Sequence, residues 1–66
     1  MEITVNGTTR ALEAPTPLVE FLARHGLERR AIAVQHNGEI LRRPEYEAVT
    51  LREGDVLEIV HVVGGG

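Results

Sequence analysis

Three glycines, Gly64-Gly65-Gly66, follow directly on an apolar stretch from Val56 to Val63, and they carry the most definite chemistry in the chain. Glycine has the narrowest cross-section and the widest backbone freedom of any residue. Three of them in extended form reach roughly 10 Å past the preceding strand. A carboxylate on such a thread can enter another protein's active site while the folded body stays outside. The carboxylate of Gly66 is inert as it stands, because resonance and negative charge repel nucleophiles. It becomes reactive once an ATP-using enzyme converts it to an acyl-adenylate, from which a sulfur donor can displace AMP and leave a thiocarboxylate. Glycine suits both steps, since no Cβ crowds the carbonyl.

Rival chemistries are poorly supplied. No cysteine and no activated serine provides a nucleophile beside a base. No glycine-rich turn joins a strand to a helix in the manner of a phosphate cradle. His25, His36 and His61 stand 11 and 25 residues apart, far from the close spacing of a metal-ligand motif. The acid pairs Glu45/Glu47 and Glu53/Asp55 read as solvated loop charges rather than an acid–base dyad. The chain is therefore expected to be no enzyme, with catalytic residues none, metal ligands none and no cofactor bound by the chain itself.

The elements that must hold this tail in place can be read from the pattern. Ile3 and Val5 alternate with Glu2 and Thr4, the period of a half-buried strand. Asn6-Gly7 then signals a type I′ hairpin turn, and a return strand from Thr8 to about Glu13 turns Leu12 inward. Thr16-Pro17 suits an N-cap and first helical position. Leu18, Phe21 and Leu22 form one helical face, and Gly26 fits the residue that ends the helix near His25. Ala31 to Gln35 reads as a strand buried on both faces, with Asn37-Gly38 turning it back through Glu39-Ile40-Leu41. A polar stretch from Arg42 to Ala48, with a short turn around Tyr46, precedes an edge strand at Val49–Leu51. Glu53-Gly54-Asp55 is a turn, and Val56–Val63 has the β-propensity of a central strand. The order β-β-α-β-β-β implies an α+β fold with one helix covering a sheet.

Composition bounds the rest. Sixty-six residues make one small domain, residues 1–66, with a flexible tail at 64–66, and a domain of this size buries only ~60% of its unfolded surface. Without cysteine no disulfide supplements the core, and with one Phe, one Tyr and no Trp that core is aliphatic. Seven basic residues, all arginine, against ten acidic ones give a net charge of −3. That balance argues against a nucleic-acid partner, as does the lack of paired aromatics. The N-terminus has no signal-peptide pattern, and no apolar run approaches the ~20 residues of a membrane span; a cytoplasmic location without a membrane partner is the expectation.

The chain resembles the sulfur-carrier family of thiamine biosynthesis, small ubiquitin-like β-grasp proteins. The likeness rests on the Ile3-Thr4-Val5-Asn6-Gly7 hairpin, the helix start from Thr16 to Leu22, the run from Ala33 to Arg43, and above all the continuous segment from Leu51 to Gly66. It implies a mixed sheet of four to five strands packed on one main helix. It also implies that Gly66 carries the adenylate and then the thiocarboxylate, with Gly64 and Gly65 as the part that enters the partner's active site. The implied partners are an E1-like adenylating enzyme, which uses ATP, and the thiazole synthase that takes the sulfur, with a cysteine desulfurase or other persulfide donor upstream. The open sheet side and the last strand are the expected docking surface, with Arg42, Arg43 and Tyr46 as further candidates. A carrier for tRNA thiolation or molybdopterin synthesis, a ubiquitin-like protein modifier, and a non-covalent interaction module stay open at this point.

Overall fold

Asn6 and Gly7 both hold positive φ, 49° and 81°, the pair of left-handed residues that a type I′ turn needs. They join β1 (Glu2–Val5) to β2 (Thr8–Ala11) as an antiparallel hairpin with Val5 opposite Thr8. Asn37 and Gly38, at 49° and 88°, repeat the device between β4 (Ile32–His36) and β5 (Glu39–Ile40). The computed structural model describes residues 1–62; the expectations for Val63, Gly64, Gly65 and Gly66 lie outside the described residues.

One helix, α1 (Leu18–Arg24), lies between the two hairpins and buries Leu18, Phe21 and Leu22. It ends as expected, with His25 as C-cap and Gly26 at φ 66°. Its start differs from the sequence reading. Thr16 and Pro17 form β3, a two-residue strand paired antiparallel to β6 (Thr50–Leu51). Pro17 is the cap residue, without a side-chain cap bond. The hydroxyl of Thr16 instead donates backwards to the carbonyl of Ala14 at 2.9 Å. The buried threonine serves the strand pair, and Leu18 N–H is satisfied by the carbonyl of Val49 at 3.0 Å.

β7 (Val56–His61) completes the main sheet, whose order is β2-β1-β7-β4-β5. β1 and β7 run parallel and the other neighbours antiparallel, so a mixed five-stranded sheet grasps one helix in the β-grasp arrangement. β6 belongs to the separate pair with β3 and not to the edge of this sheet.

The expectation for Ala31 to Gln35 needs correction. Ala31 lies in a 3-10 helix, Arg29–Ala31, ahead of β4. In β4 itself only Ile32 and Val34 are buried, while Ala33 and Gln35 face the open side. β7 is central, yet only Leu57 and Ile59 are buried. Helix cover exists on one face alone, so an apolar run does not by itself report two buried faces. The core joins those residues to Ile3, Leu12, Leu51, Tyr46 and the helix triad, each large side chain contributing about 1.5–3 kcal/mol of burial.

Candidate functional site

β7 carries the chain toward the glycines, and its anchoring is dense. On one side it pairs with β4 over five positions, from Ile32 opposite His61 to His36 opposite Leu57. On the other it runs beside β1, with Thr4 opposite Val56 and Val5 opposite Leu57. β1 ends at Val5, but the ladder continues through a side chain. Asn6 Oδ1 accepts from the N–H of Ile59 at 2.7 Å, and Asn6 Nδ2 donates to the carbonyl of Ile59 at 3.0 Å. The turn asparagine thus acts as one more strand residue, which hairpin signals alone do not disclose. The last described residue remains laddered too, since Val62 N–H donates to the carbonyl of Ala31 at 2.8 Å.

The far end of β7 is tied down by a polar cluster. Asp55 Oδ2 lies 3.0 Å from His36 Nε2 and accepts from the N–H of Arg52 at 3.0 Å, while Asn37 Nδ2 donates to Asp55 Oδ1 at 3.2 Å. Asn37 Oδ1 in turn accepts from the N–H of Val56 at 2.8 Å. Burial alone would raise the pKa of Asp55. The hydrogen bonds from His36, Arg52 and Asn37, together with the charge of His36, outweigh it and hold the carboxyl below its ordinary 3.8.

Of the four acids in the pairs, Glu45, Glu47 and Glu53 are exposed, as loop charges, and only Asp55 is drawn out of solvent. Asp55 is half-buried in this cluster, Glu53 Oε1 accepts from the N–H of Glu2 at 2.9 Å, and Glu45 Oε1 accepts from the N–H of Arg42 at 2.6 Å. Glu45 and Asp55 close their own turns by accepting from N–H groups three residues earlier, whereas Glu53 ties its turn to the start of β1. Among the described residues no group of three or more His, Cys, Asp or Glu side chains is arranged to hold a metal ion. Nor is any helix among them long and apolar enough to cross a membrane.

Alternation along β7 gives the sheet its open face. Val56, Glu58 and Val60 point away from the helix, Ala33 pairs with Val60, and Gln35 pairs with both Glu58 and Ile40. Ile40 is 77% exposed and Val60 59%, and both line a shallow depression with Ala33, Val34, Gln35 and Glu58. An exposed aliphatic strip rimmed by polar groups is the usual mark of a protein-docking surface. Of the other docking candidates, Tyr46 is withdrawn: at 1% exposure it is a core residue, seated by the 3-10 helix Arg43–Ala48. Arg42 and Arg43 are exposed. The positions proposed to carry or deliver sulfur, Gly64, Gly65 and Gly66, lie outside the described residues.

The comparisons with known proteins agree with this architecture. The model of the ThiS family matches residues 3–66. A sulfur carrier protein ThiS from Thermus thermophilus is 40% identical over 62 residues, covering 94% of this chain and 95% of that protein. A thiazole synthase from Paramagnetospirillum magneticum is 36% identical over 66 residues, covering all of this chain. The chain spans only 20% of the length of that thiazole synthase. The crystal structure of a thiamine biosynthesis protein (ThiS) from Geobacter metallireducens superposes with a TM-score of 0.85 at 30% identity, covering 100% of both chains.

Proposed function

The chain belongs to the ThiS family, the sulfur carriers of thiamine biosynthesis, and we propose that its working atom is the carboxyl carbon of Gly66. In this reading a carboxylate oxygen attacks the α-phosphorus of ATP in the partner adenylating enzyme, pyrophosphate leaves, and an acyl-adenylate results. A hydrosulfide equivalent then attacks the carbonyl carbon, the bond to the AMP oxygen breaks, and a thiocarboxylate remains. Thiazole synthase takes the sulfur, an oxygen atom from its acceptor or from water replaces it on the carbonyl carbon, and the carboxylate is regenerated, so the carrier is a co-substrate that is reloaded. In this reading every catalytic step belongs to the partners.

The observation that carries the reading is the anchoring of β7. It is the central strand of the sheet, laddered on both sides and gripped again by Asn6, and the glycine run begins two positions past Val62. A thread is delivered to a fixed depth only when its root cannot slide, and rigid positioning of a reactive group is what lowers the cost of reaction in a channel. The aliphatic strip of Val60 and Ile40 supplies a surface on which a partner can seat the body while the tail is inside. The match of this chain to a stretch within thiazole synthases supports the same enzyme as acceptor.

Intact-protein mass spectrometry tests the proposal. After incubation with ATP, the adenylating enzyme and a sulfur donor, the chain gains the mass of one oxygen exchanged for sulfur, and fragmentation places the gain on Gly66. Deleting Gly65 and Gly66 abolishes the gain. A competent partner set that leaves the mass unchanged, or a gain placed elsewhere, refutes it.

A further inference from the structure

The chain is acidic overall, at −3, yet four of its seven arginines fall between positions 29 and 43, and the fold gathers them at one place. Arg43 donates from Nη2 to the carbonyl of Arg30 at 3.0 Å and from Nε to that of Arg29 at 3.3 Å. This clips the 3-10 helix Arg43–Ala48 to the 3-10 helix Arg29–Ala31. Arg42 arrives at the same end because the chain after β5 runs back along β4, with Leu41 N–H bonded to the carbonyl of Val34 at 2.9 Å. The place is where β7 leaves the sheet: Ile32 is opposite His61, and Val62 N–H is bonded to Ala31, the residue next to Arg30.

Neighbouring carboxylates offset the cluster only in part. Glu47 reaches Arg29 at 3.4 Å, Glu45 is engaged by the backbone of Arg42, and Glu28 is exposed ahead of Arg29. Among the described residues Arg30, Arg42 and Arg43 form no ion pair, and all three are exposed.

Resting on the carrier reading above, we infer that these arginines form a basic collar at the root of the tail, which docks on carboxylates rimming the entrance of the partner enzyme's tail channel. Length selects this occupant over the nucleotide. Gly66, the proposed reacting residue, lies four positions beyond Val62, a span of about 13–14 Å when extended. When the end of the tail is at the reacting phosphate, the collar is therefore held outside, at the channel mouth, where it meets protein. Arginine suits that position because its planar fork pairs bidentately with carboxylates. Long-range attraction of this kind acts mainly on encounter rate and is screened over a Debye length of ~10 Å at 0.1 M salt. Arg43 is the positioning residue that holds both segments together; Arg30 and Arg42 are the ones expected to meet the partner.

The test is the association rate of the full chain with the cognate adenylating enzyme, measured by stopped-flow at several salt concentrations alongside sulfur loading. The double variant Arg30→Glu/Arg42→Glu is expected to associate about tenfold or more slowly at low salt and to lose most of its salt dependence. Arg30→Gln/Arg42→Gln falls between it and the wild type. Arg52→Glu, a single charge reversal at the other end of β7, changes the rate less than about twofold, and less than Arg30→Glu alone. Urea midpoints show that each variant is folded. Equal slowing by Arg52→Glu, salt-insensitive association, or no measurable association of the wild type overturns the collar. Normal sulfur loading with no collar effect removes the collar and leaves the carrier chemistry intact. A wild type that associates with the expected salt dependence yet gains no sulfur does the reverse.

Discussion

Leu57 and Val60 stand three residues apart on the same strand and meet opposite surroundings. Leu57 is 0% exposed beneath the helix, while Val60 is 59% exposed on the open side of the sheet. Both are aliphatic, and strand periodicity alone separates them. The inner face is spent on holding the fold together. The outer face keeps apolar surface in water, with Val56, Val60 and Ile40 all exposed. The two sides of β7 thus differ in surroundings: one is packed beneath the helix and fixes the strand, the other is the face offered above as the docking surface.

The sharpest way to break that division is Leu57→Ala. Removing a fully buried leucine leaves a cavity, and a loss of about 2–5 kcal/mol is expected, read as a fall in the urea midpoint with little change in slope. A loss under about 0.5 kcal/mol would mean that the inner face does not carry the fold. Next in size is Asn6→Ala, which strips both side-chain bonds from Ile59 and leaves a backbone donor and acceptor unpaired. A cost of about 1–3 kcal/mol is expected, with faster amide exchange at Ile59 than at Val34. Unchanged exchange there would show that β4 alone holds the exit of β7.

The polar cluster at the start of β7 gives a pH-dependent version. Because the folded carboxyl of Asp55 titrates below 3.8, its contribution is complete above the unfolded value and is lost as pH falls through the folded one. Asp55→Asn should therefore be less stable than wild type at neutral pH, and the gap should close as the medium is acidified past 3.8. A gap that stays constant down to acid pH would assign the effect to shape rather than charge. The smallest stability effect belongs to the outer face. Val60→Ser should shift the folding free energy by no more than about 0.5 kcal/mol while weakening association with the loading enzyme or the thiazole synthase. Undiminished binding to both would move the docking surface off this strip.

Much of this was legible from local signals. Asn6-Gly7 and Asn37-Gly38 mark type I′ turns because so few residues tolerate positive φ. Gly26 marks the end of the helix for the same reason, and β7 could be placed at the centre from its β-branched content. Burial was harder to read. The run Ala31 to Gln35 looks doubly buried in one dimension, but whether a second layer covers a sheet depends on where the single helix goes. Thr16-Pro17 carries the local signature of a helix start, and that preference gave way to pairing with Thr50 and Leu51, a contact between distant parts of the chain. Tyr46 looked like a surface residue because its neighbours are charged; a 3-10 helix turns that one side chain into the core.

By itself the amino-acid order determined the turns, the helix and the central strand, since each depends on the conformational limits of a few adjacent residues. Only the tertiary structure decided which apolar side chains remain in water, how Asn6 comes to grip Ile59 across 53 positions, and that arginines from two segments meet where β7 leaves the sheet. Those outcomes depend on packing between segments distant in the chain, and no local preference encodes them.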